Sequence, residues 1–367
     1  TMGTALNLIL ILVLARSSAA LQATGSLPGL RGLLERSSVL LAAPTLGMIV
    51  ILSAFSPLIA NFEHLSSPIP VIWLALAIGG CWYMALPRGV LQGSQNFNGL
   101  SLNLALEMAI RTTTLALFLA LGTAVNGSMV AILAGVIGSY LLGLWSLRKI
   151  LALSPLRVRM RTMAGFALTA AGGTIGVLLL YNMDVVLATH YLDKHGAGIY
   201  GGLNKIGTIL YFGTLSVSQV LFPRVVEAIA TRNHPGRLLL LSTGLIAALG
   251  LAALAVFTIL PQLVVNTLFG PQFHDAQPYL LAIGAVGLGL SLNNLLVQFL
   301  VAVHDRLFLP LLAIGCLLEG VLIAINHAQV GAVVNDVLLA MWLLCALLAL
   351  RSLLLLPRLR PEMVAGD

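Results

Sequence analysis

The chain has 367 residues, of which 59% are hydrophobic and only 8% are charged, and its mean hydropathy is +1.03. Soluble domains average about 25% charged residues, so this composition excludes a soluble globular protein and indicates an integral membrane protein. The net charge of +7 fits basic loops facing an anionic membrane surface better than binding to nucleic acid.

Eleven apolar runs are long enough to cross the hydrocarbon core as helices, which takes about 20 residues each. In chain order they lie at roughly 2–21, 37–60, 69–90, 99–121, 127–147, 163–190, 197–223, 237–260, 277–303, 307–326 and 330–356. The longest connection, around 261–276, is short, so no extramembrane domain is expected. The sequence therefore predicts an all-α, polytopic membrane protein.

The basic residues predict the orientation of these spans. Of the nineteen Lys and Arg residues, sixteen fall on one side of the membrane, Lys194 falls on the other, and Arg111 and Lys205 lie inside spans. Because Lys and Arg are enriched in cytoplasmic loops, the basic side is expected to be cytoplasmic. The carboxyl terminus then lies in the cytoplasm, and the start of the first run lies outside.

An internal repeat connects the two halves of the chain. Three pairs of segments match at nearly one offset. They are VLARSSA (13–19) with LFPRVVE (221–227) through Arg16 and Arg224 at 208, LQGSQNFNGL (91–100) with LVAVHDRLFL (300–309) at 209, and AFSPLI (54–59) with TILPQLV (258–264) through Pro57 and Pro261 at 204. Both copies start on the same side, which predicts a pseudo-two-fold axis along the membrane normal.

The repeat also predicts how the chain is divided. Extrapolating the offset places the start of the first copy about fifty residues before Thr1, so an intact protein of twelve helices, six plus six, is expected. An N-terminal lobe is expected at 1–150, without its first helix, followed by a cytoplasmic linker at 151–162 and a C-terminal lobe at 163–367.

Several short motifs resemble one known family. They are Asn182-x-Asp184, Gly198-Ile199-Tyr200, Phe222-Pro223-Arg224 with Glu227, and Arg88-Gly89-x-Leu91-Gln92-Gly93 with Phe97. With them the chain resembles the O-antigen-type polysaccharide and oligosaccharide flippases of the multidrug/oligosaccharidyl-lipid/polysaccharide exporter (MOP) superfamily. The resemblance implies two six-helix bundles around a central cavity that opens alternately to the two sides.

The resemblance also implies a function, location and partners. It implies a flippase, not an enzyme, that moves undecaprenyl-pyrophosphate-linked oligosaccharide outward across the bacterial inner membrane. The substrate, the membrane lipids, H⁺ or Na⁺ as coupling ion, and polysaccharide-assembly enzymes are the expected partners. The three isolated cysteines and seven scattered histidines show no metal-ligand spacing, so neither a metal nor a cofactor is predicted.

Two opposite charges inside adjacent spans mark the first candidate site. Asp184 and Lys205 lie at depths that differ by about 3 Å. An unpaired charge inside the bilayer costs about 2.5–3.5 kcal/mol on insertion scales. The sequence leaves two interpretations open: a structural ion pair between the two helices, or a Lys205 that lines a wet cavity and binds a substrate anion.

A second polar stripe lies on the fourth run. Glu107 and Arg111 are spaced i,i+4 with the acid first, the favourable order for a salt bridge. They form either a self-neutralised pair or a site in which Arg111 binds substrate. Asp184, Glu107 and Glu319 are the predicted coupling or charge-partner residues; Glu319 is expected to be neutral, paired across helices, or the coupling site. The predicted substrate-binding residues are Lys205, Arg111, Asn103, Gln219, Asn294 and Gln298.

Two other functions compete with the flippase. A drug or cation antiporter of the same superfamily requires an acid-dominated cavity, and the mixed charges of the spans do not decide against it. A membrane glycosyltransferase or polymerase acting on lipid-linked sugars requires a catalytic outer loop. The few charged residues of the outer loops are dispersed on short connections, so an enzyme is the less favoured alternative.

Overall fold

The computed structural model describes residues 2–62, 67–122, 124–156, 161–231 and 233–359. Within these ranges the chain forms α-helices and short 3₁₀ segments, with no strand. Eleven of the helices are long and apolar enough to cross a membrane. Both the all-α class and the number of spans predicted from the sequence are therefore confirmed, and the protein is a multi-pass membrane protein.

The chain divides into two compact units, Thr1–Leu168 and Thr169–Asp367. Unit 1 contains α1 (Met2–Ala23), α2 (Leu27–Ala54), α3 (Ser56–Phe62), α4 (Ile69–Gly93), α5 (Phe97–Ala120), α6 (Ala124–Ser146), α7 (Arg148–Leu151) and the start of α8 (Arg161–Tyr191). Unit 2 contains the rest of α8, then α9 (Lys194–Ala230), α10 (Gly236–Ile259), α11 (Pro261–Phe269), α12 (Leu280–Ala302), α13 (Phe308–Ile325) and α14 (Val330–Leu355). The predicted linker at 151–162 includes residues 157–160, which lie outside the described part of the chain.

In unit 1, α4 is the central helix. It packs against α1, α2 and α6, and α5 packs against α6. Small residues permit the closest approaches: a Cβ on Gly89 would lie 2.5 Å from Cβ of Leu14, and one on Gly143 would lie 2.7 Å from Pro87. Glycines at such crossings let helix backbones come together where no water-driven force holds them.

In unit 2, α12 occupies the same central place. It packs against α9, α10 and α14, and α13 packs against α14. The α9–α12 crossing is held close by two glycines, because a Cβ on Gly287 would lie 2.5 Å from the carbonyl oxygen of Gly207. The hydroxyl of Thr214 also donates to Ser291 Oγ across this crossing at 2.8 Å.

The helix pairs of the two units correspond in chain order, as the internal repeat predicts. The turn after the central helix is the clearest case: Asn96 N–H bonds to Leu91 O at 2.9 Å, and Asp305 N–H bonds to Leu300 O at 3.0 Å. Gln95 (φ 57°) and His304 (φ 60°) are the described non-glycine residues with positive φ, and they align in the predicted repeat. Pro57 and Pro261 likewise stand at the starts of two short helices, α3 and α11.

Several helices, among them α2, α4 and α9, extend further than the predicted hydrophobic runs. Helix α2 begins at Leu27 rather than near residue 37, with Pro28 in its first turn, where the missing N–H costs no hydrogen bond. Helix α4 continues to Gly93, so Arg88 lies inside the helix and is buried. Arg88 stands near the end of the predicted run at 69–90, which is why it is grouped with the basic residues of the cytoplasmic side.

Candidate functional site

Unit 1 contains a buried polar network formed by Arg88 of α4, Asn103 and Glu107 of α5, and Ser139 of α6. The guanidinium of Arg88 donates Nε–H to Asn103 Oδ1 at 2.7 Å and Nη2–H to Ser139 Oγ at 2.9 Å. The same Nη2 forms a salt bridge with Glu107 Oε2. We refer to these four residues as the Arg88 network.

The Arg88 network is closed on itself. Asn103 Nδ2 donates to the carbonyl oxygen of Ser139 at 2.6 Å, and Ser139 Oγ donates to Asn103 Oδ1 at 2.7 Å. All four residues are buried. Because a buried charge is tolerated only when it is paired and hydrogen-bonded, these residues hold three helices together and neutralise one another.

The network corrects one interpretation of the second stripe. Glu107 forms its salt bridge with Arg88 on the neighbouring helix, and no salt bridge between Glu107 and Arg111 occurs in the described part of the chain. Arg111 is half-buried. Asn103, a predicted substrate-binding residue, lies within the network.

Unit 2 contains a buried acidic cluster, formed by Asp184 of α8, Tyr200 and Asn204 of α9, and Glu319 of α13. Asp184 Oδ2 accepts from Tyr200 Oη at 2.7 Å and from Asn204 Nδ2 at 2.9 Å. Asp184 Oδ1 accepts from the Val185 N–H at 2.8 Å. Tyr200 and Asn204 are spaced i,i+4 on α9, so one face of this helix presents both donors to Asp184. We refer to these four residues as the Asp184 cluster.

Glu319 is the exceptional member of the Asp184 cluster. It is 0% exposed, and neither of its carboxyl oxygens has a hydrogen-bond partner in the part of the chain that the structure describes. It interacts electrostatically with Asp184 and with Tyr200. A buried carboxyl group without partners loses its hydration and gains nothing in return, so this position is suited to taking up a proton or another cation.

Lys205 does not join the Asp184 cluster. Its side chain is exposed, and it forms no ion pair within the residues that the structure describes. The exposed face of α9 around it also carries Ile209, Phe212 and Ser216. Asp184 instead meets Asn204, the residue next to Lys205, so the predicted depth of the aspartate and the lysine holds but the ion pair between them does not form.

The remaining predicted residues lie mostly along the central helix of unit 2. Asn294 is buried and Gln298 is half-buried on α12, and each retains one buried polar atom that has no hydrogen-bond partner within the described ranges. Gln219 is half-buried on α9. The described residues contain no group of three or more His, Cys, Asp or Glu side chains arranged to hold a metal ion.

Four residues of these sites escaped the prediction: Arg88, Ser139, Tyr200 and Asn204. Arg88 and Tyr200 stand within the motifs that carry the family resemblance, and Asn204 lies one turn after Tyr200 on a face that the helical period defines. Ser139 had no signal, because a lone serine in an apolar run usually bonds to its own helix.

Comparison with solved structures identifies the fold. The chain superposes on an outward-facing multidrug resistance MATE family transporter of the MOP superfamily with a TM-score of 0.82 and 14% identity, covering 97% of this chain and 85% of that one. A MOP superfamily transporter from Pyrococcus furiosus, described as having a binding pocket of reverse polarity that suggests a different function, matches with a TM-score of 0.80, 14% identity and the same coverage. A MATE structure in the bent conformation matches with a TM-score of 0.79 and 13% identity, covering 98% and 85% of the two chains.

Comparison by sequence identifies the family. No curated protein matches the chain. A family model described as "polysaccharide biosynthesis protein" matches residues 35–229, which is more than half of the chain and includes the Arg88 network, Asp184, Tyr200 and Asn204. The chain therefore belongs to the polysaccharide biosynthesis protein family and has the fold of the MOP superfamily transporters.

Proposed function

We propose that this protein is a flippase that moves undecaprenyl-pyrophosphate-linked oligosaccharide across the bacterial inner membrane by alternating access. Its membership of the polysaccharide biosynthesis protein family supports the choice of cargo. The observation that carries the proposal is the distribution of charge. Deep inside the spans, the carboxylates of Glu107, Asp184 and Glu319 are buried, whereas Lys205 is exposed and Arg111 is half-buried.

This distribution suits an anionic cargo. A pyrophosphate cannot enter hydrocarbon without losing its hydration, and a fixed cation offsets that loss through charge-assisted hydrogen bonds. Lys205 presents a compact ammonium with three donors and no ion-pair partner among the described residues. In this proposal Lys205 is the main contact for the pyrophosphate, and Arg111 is a second cation on its own unit.

The exposed face of α9 also offers contacts for the rest of the cargo. Phe212 is exposed two turns beyond Lys205, and Ser216 follows one turn later. An aromatic ring and hydroxyl groups are the side chains that bind sugar faces and sugar hydroxyls. Gln219, Asn294 and Gln298 are the neutral polar side chains that we propose for the oligosaccharide.

The Asp184 cluster is the proposed coupling site. Two carboxyl groups buried close to each other are costly when both are ionised. A proton or a sodium ion taken up by Glu319, which interacts electrostatically with Asp184, removes this cost, and its release when the site opens to water drives the reverse change. Transport is then expected to respond to a pH or sodium gradient.

The test measures flipping in vesicles. The full chain is reconstituted with a labelled undecaprenyl-pyrophosphate oligosaccharide, and the fraction of sugar cleaved by a soluble glycosidase is followed with time. Lys205→Ala should reduce the rate at least about tenfold, the loss expected for one charged hydrogen-bond partner. The matched control is Lys194→Ala, which removes the same charge from the first residue of the same helix.

The outcomes test the role of Lys205, the choice of cargo and the coupling role separately. Equal rates for the Lys205→Ala and Lys194→Ala variants would overturn the role of Lys205. A parent protein that exports an organic cation but leaves the lipid-linked sugar in place would replace the flippase with the antiporter. The coupling role is tested separately: Glu319→Gln should abolish the response of transport to an imposed gradient, and a transport rate that ignores both gradients in the parent protein would rule that role out.

A further inference from the structure

A groove within unit 1, separate from both polar clusters, contains unused charges. Its floor is Leu86 of α4, and its walls come from α2 and α6, which both pack against α4. Leu151 of the short helix α7 also lines the groove. The volume is about 450 Å³, within the range of small-molecule sites. We call it the α2–α6 groove.

Two opposite charges on one wall of the groove do not pair. Arg31 and Glu35 are one turn apart on α2, and both line the groove. The three salt bridges of the described residues involve neither of them. The Nε atom of Arg31 is buried and has no hydrogen-bond partner among the described residues. A buried guanidinium N–H without an acceptor costs free energy, so this wall favours a ligand that supplies an acceptor.

The opposite wall carries one polar side chain, and a neighbouring aromatic ring packs against it. Tyr140 of α6 lines the groove, and its ring packs edge-on against Tyr83 with 6.2 Å between centroids. The hydroxyl of Tyr83 donates to the carbonyl oxygen of Ser38 on the first wall at 3.0 Å. The positions of both walls are therefore coupled across the groove, and a phenol group faces the same space as Arg31.

The surroundings of the groove indicate that its ligand enters from the bilayer. Val39 of α2 is 70% exposed and Leu141 of α6 is 59% exposed, so both helices carry apolar surface beside the groove. Trp145 is exposed near the end of α6, and the guanidinium of Arg148 lies 4.3 Å from the centroid of its ring. Aromatic residues beside basic ones mark the membrane–water interface.

The chain after α7 packs by backbone contacts against the start of α2, next to the groove. The N–H of Leu156 donates to the carbonyl oxygen of Pro28 at 3.0 Å. Gly32 contacts the Leu156 backbone directly, since a side chain there would overlap it. The chain after α7 thus crosses tightly over the first turn of α2, which favours entry from the lipid-facing flank over entry from the aqueous end.

We propose that the α2–α6 groove binds a phospholipid whose headgroup carries both a phosphate and a primary ammonium, as phosphatidylethanolamine does. Arg31 and Tyr140 donate to the phosphate, Glu35 accepts from the ammonium, and Leu34 and Leu144 contact the first part of an acyl chain. Residues spaced i,i+4 have Cβ atoms about 5–6 Å apart, and a two-carbon linker places the two headgroup charges at a comparable separation.

Headgroup charge and hydrogen-bond donors distinguish this ligand from the other common phospholipids. An anionic headgroup without an amine would satisfy Arg31 but would leave Glu35 beside a like charge. A choline headgroup carries a quaternary ammonium, which has no N–H to donate to Glu35. The pairing of an arginine with a glutamate therefore predicts the order ethanolamine, then choline, then glycerol.

The experiment measures lipids that remain bound to the full chain. The protein is equilibrated in nanodiscs that contain equal parts of phosphatidylethanolamine, phosphatidylcholine and phosphatidylglycerol, then transferred to detergent, and its bound lipids are counted by native mass spectrometry. The parent protein should retain phosphatidylethanolamine preferentially. Arg31→Gln should reduce retention about tenfold, the loss expected for one charged hydrogen-bond partner, while Lys149→Gln, which removes a basic charge from α7, should leave it unchanged.

Glu35→Gln separates a zwitterionic site from a general anion site. This variant should keep its bound phospholipid but lose the preference for ethanolamine over glycerol headgroups. Glu35 is exposed and makes no ion pair among the described residues, so the variant is expected to fold, and thermal melting of each sample checks this. Equal retention by Arg31→Gln and Lys149→Gln, a parent without ethanolamine preference, or displacement of the lipid by millimolar inorganic phosphate would each overturn the proposal.

Discussion

The two units pack their helices in the same pattern but bury opposite kinds of polar group. Unit 1 buries the Arg88 network, in which the salt bridge and the hydrogen bonds neutralise every charge. Unit 2 buries the Asp184 cluster, in which one carboxylate has three hydrogen bonds and the other, Glu319, has none. The predicted repeat aligns Arg88 with Val297 and Glu107 with Cys316, so the network has no counterpart at those positions in unit 2.

The two clusters differ in their capacity to bind a ligand. A closed network has nothing left to offer a ligand, and it rigidifies the helices that it joins. A buried carboxyl group without a partner is stabilised by any cation that reaches it, so cation binding there is favourable. Unit 1 is therefore expected to lose stability when its polar residues are removed, whereas unit 2 is expected to gain stability at Glu319 and to lose transport.

The largest effect is expected from Arg88→Leu. The substitution leaves Glu107 buried without its cation, which destabilises proteins by about 3–5 kcal/mol when one partner of a buried pair is removed. Thermal unfolding of the protein in detergent with added lipid should show a large fall in the melting temperature. Arg111→Leu, on α5 one turn after Glu107 but outside the network, is the control and should change the melting temperature little.

A double substitution tests the reason for that loss. Arg88→Leu combined with Glu107→Leu removes both charges, so much of the stability lost in the single variant should return. If the double variant is as unstable as Arg88→Leu alone, the loss arises from packing of the arginine side chain, and the interpretation of the network as a charge pair is wrong.

The next effect is expected from Tyr200→Phe in unit 2. The phenol of Tyr200 donates to Asp184 at 2.7 Å, and a hydrogen bond to a charged group contributes about 1.5–3 kcal/mol. The variant keeps the ring and its packing and removes only this bond. A fall in melting temperature of the corresponding size is expected, and Tyr140→Phe, in the α2–α6 groove of unit 1, should show a smaller one.

The same substitution in each unit should then change stability in opposite directions. Glu319→Met removes a carboxyl group that has no partner and fills a similar volume, so it should raise stability by about 1–3 kcal/mol. Glu107→Met should lower it, because Arg88 loses its counter-charge. Melting temperatures of both variants provide the comparison, and a destabilised Glu319→Met would mean that this carboxyl group already holds a partner in the unliganded protein.

The sequence predicts how deep a residue lies along a span better than it predicts which face of the helix meets a neighbouring helix. The eleven spans follow from hydropathy, and the depth of Asp184 relative to α9 follows from the helical rise. The helical rise does not determine which face of α9 meets Asp184. Asn204 and Lys205 lie at nearly the same depth but about 100° apart around the helix axis. Which of the two turns inward depends on the packing of α9 against α12, and this packing is set by glycines whose role appears only in three dimensions.

The burial of Arg88 is a second feature that the sequence does not predict. A lone charge near the end of an apolar run is expected at the membrane surface, because an isolated charge is costly in hydrocarbon. Arg88 lies inside the helix because its partners Asn103, Glu107 and Ser139, which stand on two other helices, offset this cost. Since these partners lie fifteen or more residues away along the chain, no local pattern reports them.

The smallest predicted effect tests a feature that the two units share. Gln95 and His304 have positive φ at equivalent turns after the central helices, a conformation that costs a residue with a side chain about 1–2 kcal/mol and costs glycine almost nothing. Comparing Gly with Ala at each site removes the contacts of the original side chains from the comparison. Gly should be the more stable of the two by about 1 kcal/mol at both positions, measured as the difference in unfolding free energy. A Gly preference at only one turn would show that the repeat preserves the sequence offset without preserving the backbone geometry.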